Sequence, residues 1–439
     1  MKKSRRTLLG LALFGGMSHL LAAPKAAPGA LQRLDGELAA IASDPACLLA
    51  SLSVVAVRDG KVAYKQQFGQ QTIGTGGAPS KPATARTMYR IASISKMMTT
   101  LVVMMLVEEG KLDLTADVSN YLGFPLRNPH FPERVISLRD LLTHTSSLRD
   151  DAGYFWTADK ALKDILVPGA ALYGKGEMWA SNAVPGAYFT YSNLNWGVIG
   201  TLMERVTGER FDQLMQRRLL APLGLHGGFN PAAFSPEDLS NLATLYRKRT
   251  VDTEVWDPAG PWIAQNDDLS QRAPALPPNY ERYVIGTNAT PVSPTGGLRI
   301  CAEDMAKVML MLINGGKHEG RQLLKPATLA RMFTREWTYD GSNGDTSHGQ
   351  LKAWGLGNQQ FFEPVVDVPG FNAVGHHGDA YGLTSVFVVD LAKKNGMVML
   401  VGGTSTDFEL YRGSYSAQTR YEERALSAIY RRAILGKAD

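Results

Sequence analysis

Apolar positions recur along this chain with two different periods, and the periods change where turn residues intervene. From Leu31 to Ser43 the apolar residues Leu31, Leu34, Leu38 and Ile41 fall three or four apart, which predicts a helix. Two runs of β-branched and aromatic character follow, Leu52–Val57 and Val62–Phe68, joined by Arg58-Asp59-Gly60-Lys61. Asp-Gly between such runs predicts a hairpin. Near the other end, Gly382–Asp390 and Met397–Gly402 are again β-rich around a turn containing Asn395-Gly396, and a last helix is predicted from about Tyr415 to Leu435. Between these ends, residues 91–225 carry mainly helical patterns, one of them near Trp196–Arg205, and Asn230 to Pro294 is rich in Pro, Asn and Asp with weak periodicity. The pattern predicts an α+β fold with a sheet built from both chain ends. A mostly helical insertion then spans about 91–300, an irregular excursion about 230–294, and the cleft lies between the parts.

The stretch Ile94–Val107 is apolar on nearly every face, so it predicts a buried helix stopped by Gly110. Ser93 would stand at its start and Lys96 one turn later on the same side. A helix N-terminus favours negative charge on the serine oxygen, and burial lowers the pKa of a lysine toward that of a useful base. The alternative is a serine cap with a lysine that reaches solvent; about one S-x-x-K arises by chance in a chain this long. A second candidate is Tyr191-Ser192-Asn193, on a loop entering a helix: either a proton-handling tyrosine with a positioning amide, or a packed turn. A third is Gly375-His376-His377-Gly378-Asp379, expected just before the strand that starts near Leu383. There His376 lines a cleft, or the histidines decorate a turn; a metal reading lacks the accompanying ligands.

The chain has 439 residues, 44% of them hydrophobic and 20% charged, a globular composition long enough for one large core. Its net charge of +5 invites a polyanionic partner, but Lys2, Lys3, Arg5 and Arg6 precede an apolar stretch from Leu8 to Met17. That reads as an export signal over 1–23, with cleavage anywhere between 22 and 30. Ser4-Arg5-Arg6-Thr7-Leu8-Leu9 fits a twin-arginine route and an ordinary secretory route equally. Loss of 1–23 leaves a nearly neutral protein, so we expect no nucleic-acid partner, no stable membrane anchor, and a periplasmic or secreted location. The run near Met97–Val107 is too short to cross a bilayer. Cys47 and Cys301 could pair in an oxidising compartment, but are expected instead to be buried small hydrophobes.

Ser93-x-x-Lys96, Tyr191-x-Asn193 and His376-x-Gly378, in that order, resemble the motifs of the penicillin-recognising serine hydrolases. That group includes class C β-lactamases, DD-carboxypeptidases, D-aminopeptidases and related esterases. Leu142-Thr143-His144-Thr145-Ser146, Ala221-Pro222-Leu223-Gly224-Leu225 and Trp354-Gly355-Leu356-Gly357 resemble flanking blocks of the same family, over about residues 31–435. The resemblance implies a β-lactamase/DD-peptidase-like fold as a single domain over 31–439. It implies no cofactor, and a small-molecule or peptide substrate of possible cell-wall origin. It implies that Ser93 forms an acyl-enzyme, that Lys96 and Tyr191 move protons, and that Asn193, His376, Gly378 and Asp379 hold substrate. The backbone N–H groups of Ser93 and Asp379 would form the oxyanion hole. The departures are His376 where β-lactamases carry lysine, Ser147 where the family carries glycine, and Asp379 after the motif glycine. If Asp379 faces the cleft, it would repel a substrate carboxylate and favour a neutral or cationic end; the strand pleat could instead turn it away. A true β-lactamase and a non-catalytic binding relative remain alternatives to an amide or ester hydrolase.

Overall fold

The computed structural model describes residues 27–438 apart from 252, 270–272 and 363. The predicted export signal lies outside the described residues. The first helix, α1 (Ala30–Ala42), leads into the hairpin β1 (Ser51–Arg58) and β2 (Lys61–Thr72), whose turn places Asp59 and Gly60 at positive φ. Near the other end, β3 (Ala373–Ala380), β4 (Leu383–Asp390) and β5 (Asn395–Val401) form a meander, followed by the helix α5 (Arg420–Ile429).

These strands make one nine-stranded antiparallel sheet. Its order runs from Trp337–Thr338 through Ala353–Trp354, Gln359–Phe361, β3, β4, β5, β1 and β2 to Lys81–Pro82. The two chain ends meet at its centre, where β1 pairs with β5 in the register Val54↔Met399. The strands alternate their apolar side chains between two cores, as a pleat covered on both faces must. Val55, Val57, Phe387, Val398 and Leu400 join the large core with the inserted helices. Leu52, Val54, Val386, Met397 and Met399 join a second core beneath α1 and α5.

Within the large core lies α2 (Ile94–Glu108), with every residue from Ile94 to Leu106 buried, and Gly110 follows it at φ 71°. Two further helices matter for the site or the sheet. They are α3 (Leu194–Thr207) and α4 (Ala302–Ile313), the latter capped by Cys301 Sγ accepting from Asp304 N–H at 3.4 Å. Both cysteines are buried and unpaired, Cys47 in the second core and Cys301 in a small cluster with Met88 and Leu242. The excursion 230–294 is not wholly irregular. Leu245–Lys248 and Trp262–Asn266 pair there and join Gly403–Thr404 in a three-stranded sheet. Among the described residues, no helix is long and apolar enough to cross a membrane.

Candidate active site

The short strand Met88–Arg90 pairs with Arg299–Cys301 and points the chain at the N-terminus of α2. Between them Ala92 adopts φ 47°, a left-handed conformation that costs a non-glycine residue free energy and turns the chain sharply into Ser93. Ser93 itself has helical φ and ψ and makes no capping hydrogen bond, so its hydroxyl is left for other work. Lys96 is fully buried, and its Nζ lies 3.0 Å from Ser93 Oγ, 2.8 Å from Asn193 Oδ1 and 3.0 Å from the Thr295 carbonyl oxygen. Neither half of the capping alternative holds: the serine does not cap and the lysine does not reach water. Burial lowers the Lys96 pKa from 10.5 to about 7, against a smaller raising effect of Asp150. At that value the amine can be neutral. Two of its hydrogens then go to Asn193 and Thr295, and its lone pair is aimed at the serine hydroxyl.

Asn193 is held in turn by Asp150. The Asp150 carboxylate accepts from Asn193 N–H and Nδ2–H at 2.8 Å each, from Ser192 Oγ–H at 2.8 Å and from Leu194 N–H at 3.0 Å. These bonds cap the start of α3 and fix the amide so that its oxygen, not its NH₂, faces Lys96. Thr295 Oγ1 donates to the same oxygen at 2.8 Å. Tyr191, two residues earlier, has its ring 5.0 Å from Lys96 Nζ and stacks on His144 at 4.4 Å. Burial pushes its phenol well above the ordinary range, with Ser93 acting in the opposite direction, so the hydroxyl is protonated near neutrality. His144 accepts from Ser192 N–H through Nδ1 at 3.0 Å, which requires a neutral ring, and burial holds its pKa well below 6.5. Ser147, three residues on, sits at φ 67°, which explains why glycine suits that place.

The third motif stands just before the strand that starts at Leu383, as expected, and is itself a strand, β3. Its hairpin to β4 turns through Tyr381 and Gly382, both at positive φ, and closes on the pair Ala380↔Leu383. Antiparallel alternation then gives His376, Gly378 and Ala380 the ladder bonds to β4. The N–H groups of His377 and Asp379 face the other edge, which Gln359–Phe361 covers only as far as Gly375. Gly378 is obligatory there: a Cβ would stand 2.4 Å from the Ile91 carbonyl oxygen and 2.3 Å from Ser385 Oγ. Ser385 Oγ bonds the Ile91 carbonyl at 3.1 Å and the Gly378 carbonyl at 3.2 Å, which ties β3 and β4 to the chain entering Ser93. His376 is buried, with its ring 5.2 Å from Trp354 and 6.3 Å from Tyr191. Burial, with the Lys96 charge behind it, lowers its pKa to about 3. His376 and His377 point to opposite faces of the strand, so they do not converge on one ion. Among the described residues no three His, Cys, Asp or Glu side chains gather as metal ligands.

Ser93, Tyr191, Asn193, His376, Gly378 and Asp379 line one cleft of about 1700 Å³, with Lys96 beneath its floor. Asp379 is exposed and stands among the lining residues. The 230–294 excursion supplies part of its lining, including Asp267 and Leu276. Asp150, His144 and Thr295 are the site residues that motif reading passed over as chemistry. His144 lay inside the L-T-H-T-S block, which was its signal; Ser147 directly follows the block, and Asp150 stands four residues beyond it.

Residues 41–419 match the family described as beta-lactamase. A putative D-alanyl-D-alanine carboxypeptidase of Escherichia coli K12 is 26% identical over 317 residues, 67% of each chain. Protein Rv1367c of Mycobacterium tuberculosis is 27% identical over 328 residues, 70% of this chain and 73% of its own. Among solved structures, D-amino acid amidase from Ochrobactrum anthropi SV3 superposes with a TM-score of 0.64 at 18% identity, covering 90% of this chain and 99% of the other. The octameric penicillin-binding protein homologue from Pyrococcus abyssi gives 0.62 at 22% identity, over 91% and 76%. These two likenesses speak to the fold. With its sheet joined from both ends, its buried Ser93–Lys96 helix and most of its length matched, the chain belongs to the beta-lactamase family.

Proposed function

We propose that the protein is a serine hydrolase that cleaves an amide or ester through an acyl-Ser93 intermediate. The observation that carries this reading is the three-way coordination of Lys96 Nζ, two fixed acceptors and the Ser93 hydroxyl. Neutral Lys96 takes the proton as Ser93 Oγ attacks the substrate carbonyl. Tyr191, whose phenol burial keeps protonated, relays a proton to the leaving group. The oxyanion is met by the backbone N–H groups of Ser93 and Asp379, a contribution of about 3–4 kcal/mol per donor in comparable sites. Water then releases the acyl group by the reverse proton path. The relatives named as a carboxypeptidase and a D-amino acid amidase support a peptide or amide substrate. Residues 1–23 support action outside the cytoplasm, which fractionation of the expressing cell would test.

A fluorescent phosphonate should label the wild type on Ser93, located by peptide mass spectrometry, and should not label Ser93→Ala. Absence of labelling, with no turnover of small activated esters, would favour a binding protein instead. Sustained turnover of nitrocefin would restore the β-lactamase alternative.

A further inference from the structure

One wall of the cleft has a chemistry that the proposed mechanism does not use. On β3, His377 and Asp379 share a pleat, and the approach to α5 brings Gln418 and Glu422 into the same cleft. Gln359 Nε2 donates to the Gln350 carbonyl at 2.6 Å, so its Oε1 is an acceptor, and His377 Nδ1–H donates to it at 3.0 Å. That leaves His377 Nε2 as a bare lone pair, and it has no partner. Gln418 Oε1 also has none, in a side chain only 5% exposed. Glu422 is 6% exposed, with one oxygen occupied by Thr419 N–H and Oγ–H at 2.9 and 2.7 Å. Asp379 completes the wall from the exposed side.

His377 and Asp379 on β3, with Gln418 and Glu422 at the start of α5, therefore line one cleft, each presenting an acceptor. A substrate carboxylate placed among them would meet the charge of Asp379, and that of Glu422 whenever it is ionised, and leave two buried acceptors unpaired, each a desolvation cost. An ammonium supplies three donors and the opposite charge. Loss of hydration against the cleft wall raises Asp379 to about 6 and Glu422 to about 7, Asp379 adding to the latter. Arg247 offsets part of the charge on Asp379 while its guanidinium lies over the Trp256 ring at 5.2 Å.

Resting on the hydrolase reading above, we propose that this wall is an ammonium subsite. The substrate is an amide or ester with a positively charged amine at the end that lies along β3 toward α5, and a carboxylate at that end is rejected.

The test is a matched series of esters identical but for a terminal ammonium, methyl or carboxylate, placed on the acyl side and then on the leaving-group side. We expect kcat/KM for the ammonium ester to exceed that of the methyl ester by about tenfold in one of the two placements, with the carboxylate ester slowest. In Asp379→Asn the ammonium-to-methyl ratio should fall toward unity, and in Glu422→Gln, which keeps the Thr419 cap, it should fall in part. Ratios are read within each variant, so a common loss of rate cancels. Turnover of all three esters at equal efficiency, or an unchanged ratio in Asp379→Asn, overturns the subsite and leaves the hydrolase reading standing. If no ester turns over and no phosphonate labels Ser93, the hydrolase reading falls. Calorimetric binding of the ammonium and methyl compounds then decides the subsite: tighter binding of the ammonium supports it, and equal binding overturns it.

Discussion

Lys96 carries one atom that must donate in one protonation state and accept in another, and its surroundings set the pH at which it switches. With a pKa near 7, kcat/KM for acylation should fall as pH drops below about 7, and Lys96→Met should abolish labelling of Ser93 at every pH. Stability follows with a definite sign. Between pH 7 and about 10 the unfolded chain holds a lysine proton that the folded chain has shed, so stability rises with pH over that window. Below pH 7 the full cost of burying the charge is present. Thermal melts should therefore show Lys96→Met gaining most over the wild type at low pH, and losing that advantage toward pH 10. Asp150 acts one shell further out. Asp150→Ala removes four hydrogen bonds to the start of α3 and frees the Asn193 amide to turn. We expect a loss of about 1–3 kcal/mol in denaturant titration and about 100-fold in kcat, with KM changing less. None of this coupling was legible in the sequence, because a single aspartate in a loop has no period and no spacing to betray it.

At the scale of elements, hydrophobic period predicted the β1–β2 hairpin, β4, β5 and the burial of α2 on all sides, because those elements are fixed by what they bury. The third motif stands just before β4 as expected, but its own eight-residue strand was not predicted, for a physical reason. Gly375-His376-His377-Gly378-Asp379 has poor strand propensity, and it is a strand only because β4 pairs with it and Ser385 ties it to Ile91. The last helix was predicted to start near Tyr415 but starts at Arg420, where Thr419 and Glu422 form a capping box that the sequence does contain. Gly378 is the tightest point of this arrangement. Gly378→Ala should push β3 away from the chain entering Ser93, leaving a folded protein by circular dichroism with Ser93 labelling slowed by about 100-fold. A labelling rate equal to the wild type would show that the strand edge does not position the reacting carbonyl.

At the scale of the whole molecule, the sheet separates two cores, and each cysteine belongs to packing that the other does not touch. Burial raises both thiols, to about 11 for Cys47 and about 12 for Cys301. We expect neither to react with maleimide until the protein unfolds, and the melting temperature to be the same with and without reductant. The overall α+β plan and the joining of both chain ends were legible because hairpin signals stood at each end. The wall built from 230–294 was not, because its strands are short and its sequence is ordered mainly by contact with the rest. The pairing of β1 with β5 also has a meaning in time. About 340 residues separate the two strands, so at ordinary rates of synthesis the ribosome needs roughly 20–70 s to deliver the second after the first. Ser93 and Lys96 emerge early, while the strand that completes the cleft comes near the end. On the hydrolase reading, an enzyme assembled in that order would stay inert throughout its own manufacture and gain its chemistry only as a finished chain.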